Sequence, residues 1–290
     1  MGRAGVRDAR TELMDDGMND DALTIEDLDF ARMYRNHMAR SGRPPKQAGE
    51  WDARVRKSGM PLAGTSGYAG EFLSRMDLSG ARTLLDVGCG PGTICLPLAA
   101  RLERVHGLDY STAMLDALRG QAARQGAGNV AAIHRAWEDD WSDVPVCDIA
   151  VASRASNVAD LDAALDKLSA HARLRVYMTH LVGGHFMDPA IADVVGRGHQ
   201  GFPDYIYVVN LLHRKGIHPR IDYIEIPSRL AGTASFEAFA ERVSWTYPDL
   251  GDSERARLRA WYDADPARAA RGGAPMRWAF IHWEKKTWPA

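Results

Sequence analysis

The segment Leu84-Leu85-Asp86-Val87-Gly88-Cys89-Gly90-Pro91-Gly92-Thr93 constrains this chain more than any other stretch. An apolar run delivers an acid, three glycines alternate, and a helical period begins. Glycines let the backbone turn sharply and let a ligand approach the main chain to van der Waals contact. A lone glycine triplet says little. This one sits between a strand and a helix, and a second strand ending in an acid follows it.

The surrounding pattern agrees. From residue 81 onward short apolar runs alternate with helical periods, which predicts parallel strands joined by crossover helices. Strands are expected at 81–87, 104–110, 130–136, 147–153, 173–181, 221–227 and 276–286. Helices are expected after Ser111, through Met114, Leu115 and Leu118, and after Asp160, through Leu161, Leu165 and Leu168. Ahead of the first strand, Thr24 with Asp27 signals a helix start, followed by Ile25, Leu28, Ala31 and Tyr34 at helical spacing. Gly42, Pro44 and Pro45 break that helix; two shorter ones carry Trp51 with Val55, and Tyr68, Phe72, Leu73 and Met76.

Two late segments exceed a simple crossover. Residues 183–216 hold two helix starts with proline at the first helical position, Pro189 and Pro203, the second closed by Gly216. Residues 228–275 hold two further periods, around Phe236–Val243 and Leu258–Tyr262. The expected fold is therefore α/β: a seven-stranded, mostly parallel, doubly wound (Rossmann-like) sheet with helices on both faces and a helical cap with inserts. The organisation predicted is a mobile acidic tail over 1–23 and one domain over 24–290. That domain divides into a helical lead-in (24–80), a cofactor-binding core (81–182), and substrate-side helices with the last strands (183–290).

Composition limits the function classes. Of 290 residues, 46% are hydrophobic and 26% charged, ordinary values for a folded globular chain. A net charge of −2 offers no whole-chain basic field to nucleic acid or to an anionic membrane. The three cysteines, Cys89, Cys95 and Cys147, form no CxxC pair, which argues against a disulfide framework or structural zinc. His180 and His185 have no third ligand motif near them, so no metal is expected. No apolar run reaches 18 residues and no apolar leader opens the chain, so a soluble cytoplasmic enzyme is expected.

Asp109 closes the second strand, 17 residues after Gly92. A carboxylate there can accept two hydrogen bonds from a ribose diol, which suits a nucleoside-bearing cofactor. A dinucleotide site prefers GxGxxG/A, but the sixth position here is Thr93, and Asp86 stands two residues before the first glycine. In these features the sequence resembles the class I S-adenosylmethionine-dependent methyltransferases, over roughly residues 81–182. The resemblance implies that Gly88, Gly90 and Gly92 line the methionine and ribose portion of S-adenosylmethionine. It implies that Asp86 orders the loop or reaches the cofactor's amino group through water, and that Asp109 holds the ribose hydroxyls. Tyr110 and Met114 would flank the adenine. Where the family often places an acid after the third strand this chain has Ala136, so Trp137 and Glu138 are the expected adenine-side residues. Ser153, at the end of the fourth strand, is assigned to the cofactor as well.

The acceptor side is written more faintly. Methyl transfer is an in-line displacement that demands alignment first and a base only when the nucleophile arrives protonated. The fourth strand ends in Ser153-Arg154-Ala155-Ser156-Asn157 and lacks the Asn-Pro-Pro-Tyr of amide- and adenine-nitrogen methyltransferases. His180 at the end of the fifth strand is the expected base, with His185 second. Arg154 is the expected ligand-binding cation, its planar fork suited to a carboxylate of cofactor or acceptor. Tyr205, Tyr207 and Asn210 could form a lid. The function expected is methyl transfer to a small-molecule acceptor, with neither membrane nor nucleic acid as partner and the oligomeric state left open. A protein or RNA acceptor, a non-catalytic cofactor-binding module and a nicotinamide oxidoreductase are the alternatives.

Overall fold

The computed structural model describes residues 23–41, 46–58, 67–197, 201–244, 246–247 and 249–285. The tail over 1–22 and the Gly42-Pro45 break lie outside the described residues. Seven strands form one sheet: β1 (Thr83–Val87), β2 (Arg104–Asp109), β3 (Val130–His134), β4 (Cys147–Ala152), β5 (Ala172–Leu181), β6 (Arg220–Ile226) and β7 (Met276–Glu284). Their order is β3-β2-β1-β4-β5-β7-β6. The first five strands pair in parallel, and β7 runs antiparallel between β5 and β6. The order reverses between β1 and β4, and ligands of such sheets bind at that switch point, beyond the carboxyl ends of the strands.

Strand side chains alternate between two cores, as a period of two requires. Leu85, Val87, Ala150, Ala152, Val176 and Met178 face one side, against helices α1 (Phe30–Arg40), α6 (Leu161–Ala170) and α8 (Ile206–Arg214). Leu84, Ile149, Val151, Tyr177, Trp278 and Phe280 face the other. Helices α3 (Gly67–Ser74), α4 (Cys95–Leu98) and α5 (Thr112–Arg124) cover that second face. Helix α2 (Ala48–Ser58) is tied to the start of α5, its Asp52 accepting from the Ser111 hydroxyl at 2.6 Å. A third core, built on Ile191, Val195, Phe236, Phe239, Val243 and Leu258, joins α7 (Ala190–Val195), α9 (Phe236–Ser244) and α10 (Asp252–Ala264). No described helix is long and apolar enough to cross a membrane.

The strands fall where the alternation places them, each boundary within two residues. Three helix readings change. Thr24 and Asp27 hold only a short 3-10 turn over Ile25–Asp27; the helix proper begins at Phe30, where Asp29 accepts the Arg32 amide at 2.9 Å. Pro203 does not open a helix: α8 starts at Ile206, and the carboxylate of Asp204 accepts the Ile206 amide at 3.3 Å and the Gly183 amide at 2.6 Å. An unread helix, α11 (Pro266–Arg271), is capped by Asp265, which accepts the Arg268 amide at 2.9 Å, and ends on left-handed Gly272.

Close helix–sheet packing depends on Gly107 in β2. A Cβ there would stand 2.6 Å from Leu118 Cδ2 and 2.9 Å from Cys89 Sγ. Gly107→Ala is therefore expected to cost about 1–3 kcal/mol of stability through overpacking, read as a lower denaturant midpoint with an unchanged slope.

Candidate active site

The loop after β1 takes its shape from all three glycines, which adopt left-handed φ of 65° (Gly88), 53° (Gly90) and 93° (Gly92). Their surroundings differ. A Cβ on Gly88 would come 2.4 Å from the Ala155 Cβ, and one on Gly92 within 2.6 Å of Leu96 and 2.7 Å of Leu118. A Cβ on Gly90 would meet only Met114 Sδ, at 3.9 Å. Gly88 and Gly92 are thus committed to packing, and Gly90 alone leaves room in front of the loop.

Two buried carboxylates hold the loop. Asp109, at the end of β2, accepts the Gly90 amide at 2.8 Å through Oδ2 and the Ser111 amide at 2.9 Å through Oδ1. Burial raises its pKa against the pull of those amides. Asp86, at the end of β1, accepts the Cys95 amide at 3.2 Å and so caps the short α4. Its burial is nearly complete, and desolvation pushes its pKa up to about 7, the Cys95 contacts opposing and the Asp109 charge assisting.

The turn after β4 forms the opposite wall. Arg154 adopts φ 56°, a left-handed conformation that costs a non-glycine residue about 1–2 kcal/mol. Its amide donates to Thr179 Oγ1 at 2.9 Å, and its guanidinium lies 4.3 Å from the Tyr68 ring centroid. The Tyr68 hydroxyl joins Thr179 Oγ1 at 2.7 Å and Ser153 Oγ at 2.9 Å, so one side chain from α3 pins the ends of β4 and β5. Among the described residues Arg154 has no carboxylate partner; Asp160, its nearest sequence candidate, pairs with Arg35 at 3.5 Å and caps α6. Trp137 holds the same turn, its indole N–H donating to the Ala155 carbonyl at 3.0 Å while its ring stacks on Trp141.

Expectation and geometry diverge most at His180. Its Nε2 donates to the Pro203 carbonyl at 3.0 Å, which leaves Nδ1 of the neutral ring to accept the Ser156 hydroxyl at 2.8 Å. Burial pushes its pKa down to about 4, so the ring stays neutral. His180 thus ties the turn after β4 to the approach of α8, and its Nδ1 shares the single Ser156 hydroxyl hydrogen with the Thr179 carbonyl, 3.0 Å from Ser156 Oγ. Tyr207 is likewise engaged, its hydroxyl 3.2 Å from His37 Nδ1. Tyr110 donates to the Lys46 carbonyl at 2.8 Å, next to the loop, and Glu138 is exposed on the segment after β3.

Sequence reasoning left out four residues that build this region: Tyr68, Thr179, Ala155 and Asp52. The first stood in view as part of an apolar helical stripe; its polar tip was the signal, since a buried tyrosine needs a partner for its hydroxyl.

The Asp86 shift predicts a pH dependence. Its folded pKa lies above the ordinary 3.8, so both states are protonated well below that value and Asp86 then costs nothing. As pH rises from about 4 towards 7 the unfolded chain ionises first, and stability is lost until the folded pKa is passed. The loss is on the order of 3–4 kcal/mol for a shift of this size. Asp86→Asn keeps the acceptor for Cys95 and removes the ionisation. The variant should therefore gain stability over wild type as pH goes from 4 to 7 in denaturant titrations; parallel profiles would show that Asp86 ionises normally.

Comparison with known proteins carries the next step. A family model described as a methyltransferase domain matches residues 84–174, from β1 into β5. An uncharacterized protein of Haemophilus influenzae is 35% identical over 263 residues, covering 90% of this chain and 98% of its own. The YcgJ protein of Bacillus subtilis superposes with a TM-score of 0.54 at 13% identity, over 76% of this chain and 99% of that one. Phosphoethanolamine N-methyltransferase 2 of Haemonchus contortus, solved with phosphomonomethylethanolamine and S-adenosylhomocysteine, gives 0.51 at 16% identity, over 88% and 61%. At these identities the two structures speak to the fold, and the family match to the segment that carries the glycine loop. Residues 84–174, the segment that carries the glycine loop, belong to the methyltransferase domain family.

Proposed function

We propose that this methyltransferase acts on a small-molecule acceptor by direct in-line displacement, in the cytoplasm. One observation carries the choice of acceptor. Beyond the turn after β4 lies a narrow, largely apolar cleft of about 20 Å³, walled by Arg154, His180, Phe186, Phe202, Pro203 and Trp278. Its narrow apolar lining at the carboxyl ends of the strands, where ligands of such sheets bind, favours a small guest. Three buried free thiols fit a reducing compartment.

The residues around the glycine loop fit S-adenosylmethionine. The open space before Gly90 lets a ligand reach the main chain, and Asp109 has lone pairs beyond the two amides it already accepts. In this reading Asp109 receives the ribose hydroxyls, the Gly88–Gly92 loop cradles the methionine and ribose portion, and Asp86 faces its amino group through water. Tyr110 and Met114 flank the adenine, with Trp137 and Glu138 on its far side. Ser153, held by Tyr68, closes the methionine end. The bound cofactor supplies a methyl group on a sulfonium. The protein's part is alignment: the Tyr68–Thr179–Arg154 network fixes the shared wall, and His180 positions the turn without taking a proton.

Two binding measurements test the cofactor side. A carboxylate that receives hydroxyl hydrogen bonds contributes about 1.5–3 kcal/mol per bond, so Asp109→Ala should weaken S-adenosylhomocysteine at least tenfold by calorimetry. Gly90→Val should lose the ligand and, at φ 53°, about 1–2 kcal/mol of stability through backbone strain, whereas Gly92→Ala should lose more, because its new Cβ also enters the Leu96–Leu118 packing. Normal binding by a folded Gly90→Val would mean that the loop does not cradle the cofactor.

The acceptor class is tested with methyl-labelled S-adenosylmethionine in a cell extract. Label is expected in the low-molecular-weight fraction. Label recovered only in precipitated protein or RNA would overturn the small-molecule reading.

A further inference from the structure

We infer that the cleft beyond β4 is built for an acceptor that is a small organic anion, a carboxylate or a phosphate monoester on an apolar body. The anion would be gripped by Arg154 and Trp278. This rests on the proposed small-molecule acceptor and adds its chemical class.

The first observation is charge. Arg154 is the sole charged side chain among the described residues lining the cleft, it is exposed, and it has no carboxylate partner there. His180 is a neutral wall, and the nearby Asp204 is committed to the Gly183 and Ile206 amides. Among its lining residues the cleft therefore carries one positive charge and no negative one. The strained left-handed backbone at Arg154 keeps the side chain on Tyr68, with the Tyr68 ring 6.2 Å from that of Trp278. Adjacent Ala155 instead packs against Gly88 of the cofactor loop. The turn thus sends Ala155 to the cofactor side and Arg154 to the acceptor side.

The second observation is independent of the first. Six buried side-chain polar atoms among the described residues have no hydrogen-bond partner, and two of them belong to residues lining this one cleft: Trp278 Nε1 and Asn157 Oδ1. A buried indole N–H without an acceptor costs free energy that a bound acceptor atom recovers. Trp278 can only donate, and so can Arg154. Two donors call for a ligand group rich in acceptor oxygens, and the planar guanidinium fork suits a carboxylate or phosphate. Asn157 Oδ1, an acceptor, calls for a donor on a second group of the ligand. Phe186, Phe202 and the Trp278 ring supply the apolar remainder; Phe186 contacts Phe202 at 5.4 Å and Trp278 at 6.0 Å between ring centroids.

The test is calorimetry on the full chain saturated with S-adenosylhomocysteine. The probes are benzoate, phenylacetate, hexanoate and phenyl phosphate, each carboxylate matched by its neutral amide. At least one anion should bind, tenfold or more tighter than its neutral partner, and the better of benzoate and phenyl phosphate separates carboxylate from phosphate. Arg154→Lys, which keeps charge and removes the fork, should weaken the bound anion three- to tenfold. Trp278→Phe, which keeps a ring and removes the N–H, should weaken it severalfold. S-adenosylhomocysteine affinity should stay within twofold in both variants. If no anion binds while S-adenosylhomocysteine does, or if neutral amides bind as well as the anions, the inference is overturned. It is also overturned if Arg154→Lys instead loses S-adenosylhomocysteine tenfold, since the fork then serves the cofactor. Absence of S-adenosylhomocysteine binding by the wild type is a different failure, one of the methyltransferase reading itself.

Discussion

Everything in the site hangs on two carboxylates that are held out of water by the backbone they organise. Asp86 and Asp109 end adjacent parallel strands, and each accepts an amide from the segment that follows β1, Cys95 at the start of α4 for the former and Gly90 in the loop for the latter. Burial opposes their ionisation, and both pKa values rise. A glycine-rich loop with left-handed conformations at three alternate residues has few side chains of its own to pin it. Without the two acceptors its amides would be unsatisfied and its path undefined. The carboxylates are thus structural before they are functional, and the desolvation they suffer is the counterpart of a loop preformed for its ligand.

The second wall is built by a different device. The turn after β4 has no glycine, and Arg154 takes the left-handed conformation itself. Its neighbours over-determine that conformation. Thr179 receives the Arg154 amide, Tyr68 bonds both Thr179 and Ser153, Ser156 is held by His180, and Trp137 grips Ala155. Those partners come from α3, β5 and the segment after β3, so the turn is set by tertiary contacts alone. Strain of this kind persists where the surroundings enforce it, and it gathers at sites of function.

That difference explains what the sequence discloses. The sheet was legible because the central strands face two apolar cores and so read as short unbroken apolar runs, as at Leu84–Leu85 and across Ile149, Ala150, Val151 and Ala152. The glycine loop was legible because its geometry is local. The ends of α1 and α8 were displaced because Asp29 and Asp204, late in each approach, cap better than the signals upstream. The helix over Pro266–Arg271 carried every signal for its own detection: Asp265 as cap, Pro266 at the first position and Gly272 at the end. His180 could not be placed from sequence. Whether a histidine is a base or a tie depends on Ser156 and Pro203, which are more than twenty residues away in the chain.

The faintness of the acceptor side has a physical source. A displacement at a sulfonium methyl asks the protein for distance and angle, and those are supplied by shape, which leaves no fixed residue pattern. An acceptor that carries its own negative charge needs a counter-charge and donors, and it needs no acid–base pair for binding. A neutral His180 locked between two loops is compatible with that demand, whereas a site for a protonated amine would call for a carboxylate among the lining residues. Among the described residues the cleft offers an arginine, an indole N–H and three aromatic rings. Chemical specificity in such a site resides in which buried donors are left without partners, a property of the folded chain that no motif records.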